Sequence, residues 1–332
     1  MEPRSQDLER FLVTGGQGFL GAWIARRILA EGCSCMLFDL RPDDGILSQV
    51  LEPADLGRLE RLHGDVTDGE AVLRAVAASG ATRVIHLAGL QIPTCRADPL
   101  LGARVNVLGT LNVFEAARVL RSQVRSVVYA SSAAVAGRVE DYSGAIPDDA
   151  PHVPRTHYGV YKTANEGNAR VYWLDNGIPS VGLRPLAVYG PGREVGITSG
   201  PTKAIKAAVL EREYTIGFSG TTGFNYVEDA ARVFVDCARS ARPGAFALNL
   251  RGEIHSVSAF VRAIAMEIPG SRGKIRFAGP SIPVAHEFLE EGLEDLIGPV
   301  PHTPLAEGVR RTAEAFRRLL DRGALHYRDL EA

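Results

Sequence analysis

A glycine-rich turn between an apolar segment and a helical segment constrains this chain most. The apolar segment Phe11–Thr14 runs into glycines at positions 15, 18 and 21, with the spacing G-x-x-G-x-x-G. In a strand–turn–helix unit the first glycine permits a tight turn and the second lets backbone N–H groups approach a pyrophosphate, while the third permits close packing of helix and strand. We therefore predict a dinucleotide site here. Its predicted contacts are Gly15, Gly18, Phe19 and Leu20.

Short apolar segments alternate with amphipathic helical segments through the first two-thirds of the chain, which is typical of a parallel sheet covered on both faces. The predicted strands are Phe11–Thr14, Cys35–Asp39, Leu59–His63, Arg83–Leu87, Ser126–Ala130 and Ser180–Arg184. The predicted helices are Ala22–Ala30, Glu70–Ala78, Ala103–Val119, Tyr158–Asn176, Thr202–Leu210, Glu228–Ser240, Ser256–Glu267 and Pro304–Asp321. The expected fold is α/β: a Rossmann-type doubly wound parallel sheet at 10–187, then a smaller, mostly helical substrate cap at 188–325, with chain crossovers between them.

Composition excludes several classes of protein. The net charge is −2 and the basic residues are scattered, so we expect neither a nucleic-acid nor a membrane partner. No apolar run reaches the ~18–20 residues that span a bilayer, and Met1 to Arg10 is too polar for a signal peptide. The four cysteines lack metal-ligand spacing, which predicts no metal and a reduced, cytoplasmic protein.

Two carboxylates follow predicted strands at positions suited to the adenosine half of a dinucleotide. Asp39 ends the second strand, where it can accept hydrogen bonds from the ribose hydroxyls and repel a 2′-phosphate, which predicts NAD. Arg41 is the one feature that favours NADP. Asp65, after the third strand, either binds the adenine amino group or caps the next helix.

A serine, a tyrosine and a lysine form the candidate catalytic set. Ser132 lies at the end of the fifth predicted strand, and carboxyl ends of strands are where doubly wound sheets bind ligands. Tyr158 and Lys162 are four residues apart on a helix and therefore share a face. The Lys162 ammonium is expected to lower the pKa of the phenol and to hold the nicotinamide ribose. Tyr158 would then exchange a proton with a substrate hydroxyl that Ser132 also binds.

Together these motifs resemble the extended short-chain dehydrogenases/reductases, the NAD-dependent epimerase/dehydratase family, over roughly residues 10–320. The resemblance extends to Val188-Tyr189-Gly190-Pro191 and to Phe224–Asp229. It implies a homodimer formed by Ala103–Val119 and Tyr158–Asn176, and most often a nucleotide-sugar substrate. The further cofactor contacts expected on this basis are Val66, Leu87, Ala88, Gly89, Asn106 and Pro185.

Two departures from the family pattern bear on the substrate. Ala187 and Gly223 stand where relatives of this type usually carry an asparagine and an arginine that bind a diphosphate; Arg193 and Lys203 are nearby cations that can substitute. The leading hypothesis is therefore net NAD-dependent oxidation of a small sugar, sugar acid or polyol. The alternative is a nucleotide-sugar epimerase or dehydratase that recycles tightly bound NAD. The candidate substrate contacts are Ser131, Ser132, Ala187, Thr198, Ser199 and Asn225, and Asn225 has a structural role as its alternative.

The loop that contains Thr198 and Ser199 has a second interpretation, as the cap of the following helix. A non-catalytic nucleotide sensor would retain the same fold, but the complete Ser132, Tyr158 and Lys162 set argues against it.

Overall fold

A computed structural model describes residues 9–240 and 242–330, so most of the polar Met1 to Arg10 segment lies outside the described residues. The strands are β1 (Arg10–Thr14), β2 (Ser34–Asp39), β3 (Glu60–His63), β4 (Arg83–His86), β5 (Ser126–Ala130), β6 (Ser180–Pro185), β7 (Ala187–Tyr189), β8 (Tyr214–Ile216), β9 (Thr221–Tyr226), β10 (Ala245–Leu250), β11 (Glu253–Ser256) and β12 (Ile275–Phe277).

The α-helices are α1 (Phe19–Ala30), α2 (Leu47–Val50), α3 (Pro53–Leu56), α4 (Gly69–Ser79), α5 (Ile92–Ala97), α6 (Pro99–Ala103), α7 (Gly109–Val119), α8 (His157–Asn176), α9 (Gly200–Val209), α10 (Val227–Ser240), α11 (Val257–Glu267), α12 (Glu291–Ile297) and α13 (Leu305–Asp321). A π-helical turn, Arg104–Leu108, joins α6 to α7. Short 3₁₀ turns lie at Ala133–Val135, Val139–Asp141, Ile197–Ser199, Pro269–Ser271 and Arg328–Leu330. Within the described ranges, no helix is long and apolar enough to cross a membrane.

The central sheet confirms the predicted Rossmann-type architecture. Across the described residues it has seven strands in the order β10-β6-β5-β4-β1-β2-β3, and every pairing is parallel. The chain reverses its direction of travel across the sheet between β1 and β4. In open α/β sheets this switch point leaves a crevice beyond the carboxyl ends of the strands, where ligands bind.

The chain crosses back to this sheet after it has entered the cap. Strand β10 pairs with β6 at the sheet edge, and α10 packs against α1 on one face. Strand β10, a short apolar segment, was not predicted, and neither were β7, β8, β9, β11 and β12. The cap also contains small sheets, β11-β9-β7 and β12-β8 in the described part of the chain. The 187/188 domain boundary stays a prediction, and these crossovers mean that the two units share elements.

One apolar core runs without interruption from the sheet into the cap. On one sheet face, Phe11 belongs to the same buried cluster as Tyr189, Phe260 and Phe316 of the cap side. The ring centroids of Tyr189 and Phe260 are 5.2 Å apart and nearly perpendicular, an arrangement that aromatic pairs favour. The cap is therefore held against the sheet by apolar burial.

A buried ion pair ties together the elements behind the crevice. The Glu166 carboxylate on α8 accepts two hydrogen bonds from the Arg184 guanidinium on β6, at 2.8 and 2.7 Å, and the two residues are 8 % and 5 % exposed. Glu166 also accepts a hydrogen bond from the Ser131 hydroxyl at 2.5 Å, just beyond β5. Arg184 in turn donates to the Asp148 carbonyl and to the Asn249 side chain on β10.

We predict that Glu166→Gln lowers the free energy of unfolding by about 3–5 kcal/mol, because the buried Arg184 guanidinium loses the carboxylate that accepts two of its hydrogen bonds. Glu70→Gln is the control, since Glu70 pairs with Arg74 on the exposed surface of α4, and its cost should stay below about 1 kcal/mol. Chemical denaturation measures both. A loss in Glu166→Gln no greater than that in Glu70→Gln would contradict the prediction.

Candidate active site

The glycine-rich turn presents an uncapped helix end to the crevice. Helix α1 begins at Phe19, its N-cap Gly18 offers no side-chain cap, and the first turn contains no acidic residue. The free N–H groups and the helix dipole therefore favour an anion. A Cβ on Gly15 would lie 2.7 Å from the Ala88 nitrogen, and one on Gly21 2.5 Å from the Gly15 oxygen. This backbone approach explains the glycine spacing and fits a dinucleotide pyrophosphate.

Asp39 lies at the end of β2 directly beside this turn. One carboxylate oxygen accepts a hydrogen bond from the Gln17 backbone N–H at 3.0 Å, and the other accepts one from the Leu40 N–H at 2.8 Å. Each oxygen retains a further lone pair for a ribose hydroxyl. Arg41, the residue that favoured NADP, is exposed. Asp39 is therefore the group that fits the adenosine ribose.

Asp65 is exposed after β3, and its carboxylate accepts a hydrogen bond from the Thr67 N–H at 2.8 Å. The alternative that Asp65 caps the next helix is wrong, because Asp68 is the N-cap of α4 and accepts from two N–H groups of its first turn. The neighbouring Val66 is buried, and its carbonyl accepts a hydrogen bond from Asn112. Asp65 remains a candidate adenine contact.

The loop after β4 passes close to the lysine of the predicted catalytic set. Residues 87–89 were the predicted contacts here, and a Cβ on Gly89 would lie 2.6 Å from the Asn106 side-chain oxygen and 3.8 Å from Lys162 Nζ. Asn106 lies in the π-helical turn, a feature that recurs at functional sites. Its side chain accepts from the Leu90 N–H and donates to the Leu90 carbonyl. Asn106 thus fixes this loop instead of pointing at a ligand.

The predicted catalytic side chains meet at the carboxyl end of β5. Helix α8 begins at His157, capped by the Thr156 hydroxyl, so Tyr158 and Lys162 face the crevice from its first two turns. Lys162 Nζ lies 5.4 Å from the centre of the Tyr158 ring and donates to the Ala130 carbonyl at 2.6 Å. The Ser132 hydroxyl accepts a hydrogen bond from the Ala134 N–H at 3.2 Å and lies near enough to the Tyr158 phenol to lower its pKa.

Burial on one side, and polar and charged neighbours on the other, shift the pKa values of the site residues in opposite directions. Burial raises the pKa of Tyr158, and Ser132 and the positive charge of Arg193 oppose this rise without reversing it. The expectation that Lys162 lowers this pKa is wrong, since Lys162 is not among the groups that shift it. Burial also lowers the pKa of Lys162 to about 8. Arg193 is a contributor that sequence reasoning considered only as a stand-in for a phosphate anchor. Its signal was its place directly after the Tyr189-Gly190-Pro191-Gly192 turn.

The structure separates the candidate substrate contacts into residues that are engaged or buried within the protein and one, Ser132, that remains at the site. Ser131 donates its hydroxyl proton to Glu166, and Asn225 accepts from the Leu186 N–H and donates to the Leu250 carbonyl. Ala187 is buried in β7. Because these side chains are engaged inside the protein, we do not retain them as substrate contacts; Ser132 is half-buried and stays in the site. Pro185, a predicted cofactor contact, ends β6.

The loop at Thr198 and Ser199 lies at the mouth of the site. The Thr198 hydroxyl accepts a hydrogen bond from Arg193 at 3.3 Å, and Ser199 is buried and donates to the Gly196 carbonyl. Ser199 is the N-cap residue of α9, as the capping alternative expects, but its side chain makes no capping hydrogen bond. Lys203 donates to the Asp329 carbonyl at 2.5 Å and so is committed to the C-terminal segment.

Comparison with known proteins gives matches over most of the chain. The sequence model described as the NAD dependent epimerase/dehydratase family matches residues 11–248. A UDP-glucose 4-epimerase of Mycolicibacterium smegmatis is 29 % identical over 318 residues, covering 93 % of this chain and 98 % of the relative. A D-erythronate dehydrogenase of Cupriavidus necator is 33 % identical over 190 residues, covering 52 % and 56 %. The solved Thermus thermophilus UDP-glucose 4-epimerase in complex with NAD is 27 % identical, with TM-score 0.76 and coverage of 93 % and 99 %.

We predict that Asp39→Ala weakens NAD binding by about 10-fold and narrows the preference for NAD over NADP, because the carboxylate no longer binds the ribose hydroxyls or repels a 2′-phosphate. Asp55→Ala, which removes a carboxylate from α3, is the control. Titration calorimetry with both cofactors measures the change. An unchanged NAD-to-NADP ratio in Asp39→Ala would refute the assignment.

Proposed function

This chain belongs to the NAD-dependent epimerase/dehydratase family and uses NAD, and from that premise we propose that it oxidises a secondary alcohol of a small sugar, sugar acid or polyol. The observation that carries the proposal is a site with grouped Ser132, Tyr158 and Lys162 in which Gly223 cannot be replaced by the arginine that usually anchors a diphosphate. A Cβ on Gly223 would overlap the Arg251 carbonyl oxygen, so an arginine side chain there requires the backbone to move.

Each catalytic side chain has a defined part in this reaction. The chemistry that bound NAD supplies is acceptance of a hydride from the carbon that carries the hydroxyl. Tyr158 takes the hydroxyl proton as general base, and Ser132 binds the same oxygen and keeps the phenol oriented. Lys162, held by the Ala130 carbonyl, would bind the nicotinamide ribose beside Tyr158.

The relatives support two versions of this chemistry. D-erythronate dehydrogenase is, by name, a dehydrogenase of a sugar acid, which agrees with net oxidation. UDP-glucose 4-epimerase is matched over 98 % of its length, which favours the alternative of a nucleotide-sugar epimerase with recycled NAD. The residues at the anchor positions, Ala187 and Gly223, weigh against that alternative, and Lys203 is already bound to Asp329.

Absorbance of reduced nicotinamide, followed with NAD and a panel of free sugars, sugar acids, polyols and nucleotide sugars, tests the proposal. We expect reduced cofactor to accumulate with a free alcohol, and Tyr158→Phe to lower that turnover by about 10²-fold or more. Tyr161→Phe is the control, since its phenol donates to the Pro99 carbonyl away from the site. A changed nucleotide sugar without accumulated reduced cofactor would establish the epimerase instead.

We also propose that the protein is a homodimer formed through α7 and α8. The two helices pack together through the stacked rings of Phe114 and Tyr172, whose centroids are 5.1 Å apart. The outer face of α8, and that of α7 with the π-helical turn before it, carry large apolar side chains, and two pairs of these residues are 11 residues apart, which is about three helical turns. These exposed residues are Leu108, Val119, Val160, Val171 and Leu174. Apolar faces of this kind mark interfaces.

We predict that Leu174→Glu converts the dimer to a monomer, because it places a charge in the apolar face. Met266→Glu is the control: Met266 is equally exposed, at 69 % against 70 %, but lies on α11. Light scattering of both variants gives the mass. A dimeric Leu174→Glu, or a monomeric wild type, would contradict the proposed interface.

A cytoplasmic location is proposed as well. Its support is that Cys33, Cys35, Cys95 and Cys237, all within the described part of the chain, are unpaired thiols. Unpaired, largely buried thiols are typical of proteins from reducing compartments.

A further inference from the structure

Arg193 is a cation inside the candidate active site without an anion beside it. Its Nη2 donates to the Thr198 hydroxyl at 3.3 Å, and its guanidinium carbon lies 5.5 Å from the centre of the Phe19 ring. Its Nε is buried and finds no hydrogen-bond partner within 9–240 and 242–330. Among the residues that the structure describes, no carboxylate forms an ion pair with it, and Tyr158 is the group whose charge acts on it.

The turn before Arg193 is fixed, so this position is built into the fold. The Trp23 indole N–H on α1 donates to the Pro191 carbonyl at 2.9 Å. Gly192 has a φ of +91°, a backbone conformation that favours glycine. The residue after Arg193, Glu194, turns to the opposite side, where it accepts a hydrogen bond from Gln49 at 3.0 Å. The turn therefore sends the guanidinium towards the catalytic tyrosine and the neighbouring carboxylate away from it.

The burial of the Arg193 charge and the planar geometry of its guanidinium group both indicate a bound anion. Burying a charge without a partner is unfavourable, and burial lowers the pKa of Arg193. The planar guanidinium presents paired donors that match the two oxygens of a carboxylate. Thr198 accepts from one donor, Nη2, so the other N–H groups of Arg193 are available to a ligand. An anion bound there would lie near the hydroxyl that Tyr158 deprotonates.

We propose that Arg193 binds the carboxylate of a hydroxy-acid substrate, such as a sugar acid, and so selects acids over neutral alcohols. This inference rests on the proposed function and names its substrate class. A monoanion fits better than a phosphate dianion because the neighbouring lysines on α9 are already engaged. Both Lys203 and Lys206 are bound to Asp329, at 2.5 and 2.8 Å.

Equilibrium binding to the NAD-saturated protein tests the inference without requiring turnover. The probes are two matched pairs, D-gluconate with D-glucitol and D-erythronate with erythritol, together with D-glucose 6-phosphate as a dianion. The proteins are wild type, Arg193→Gln, Arg193→Lys and, as a charge-matched control, Arg74→Gln on α4. Titration calorimetry measures each affinity.

We expect the wild type to bind at least one acid more tightly than its polyol. Arg193→Gln should lower the affinity for that acid by about 10- to 100-fold and the affinity for the polyol by less than about 3-fold. Arg193→Lys should recover part of the loss, since it restores the charge but not the paired donors. Arg74→Gln should match the wild type.

Equal binding of acid and polyol by the wild type, or of neither, would overturn the inference, as would tightest binding of the sugar phosphate. An equal loss of affinity for the acid and for the polyol in Arg193→Gln would show that Arg193 has only a structural role. Failure of the proposed function looks different: acids bind through Arg193, but no free alcohol reduces NAD.

Discussion

The buried pair of Glu166 and Arg184 is the interaction on which the rest of the site depends. Helix α8 carries Tyr158, Lys162 and Glu166 at intervals of four residues, so one helix face holds the reacting groups and their anchor. The anchor reaches β6 through Arg184 and the end of β5 through Ser131. The position of the phenol relative to the sheet is therefore set by charge-assisted hydrogen bonds at its back.

We propose that the cap selects substrates both through the cations that it engages elsewhere and through the one that it leaves near Tyr158. Its apolar core is continuous with that of the sheet. Lys203 and Lys206 are turned to Asp329, which leaves Arg193 as the cation that acts on Tyr158. A small monoanionic alcohol is the ligand that best satisfies this arrangement.

Sequence reasoning predicted what depends on local pattern. The sheet and the turn before α1 follow from apolar segments and glycine spacing, and the catalytic pair from a helical interval of four residues. Strand β10 was missed because its identity depends on β6, far away in the chain. Ser131 and Asn225 were listed as candidate substrate contacts because the sequence does not show their hydrogen-bond partners. In the structure Ser131 donates to Glu166, and Asn225 accepts from the Leu186 N–H.

The crowding at Gly223 has an evolutionary consequence. Any side chain there meets the Arg251 carbonyl, which lies on the turn between β10 and β11. A descendant of this protein that acquired an arginine codon at this position would first have to reshape that turn, and the intermediate would fold poorly. A single substitution of Gly223 by arginine is therefore expected to disturb the turn before it adds a contact to a diphosphate.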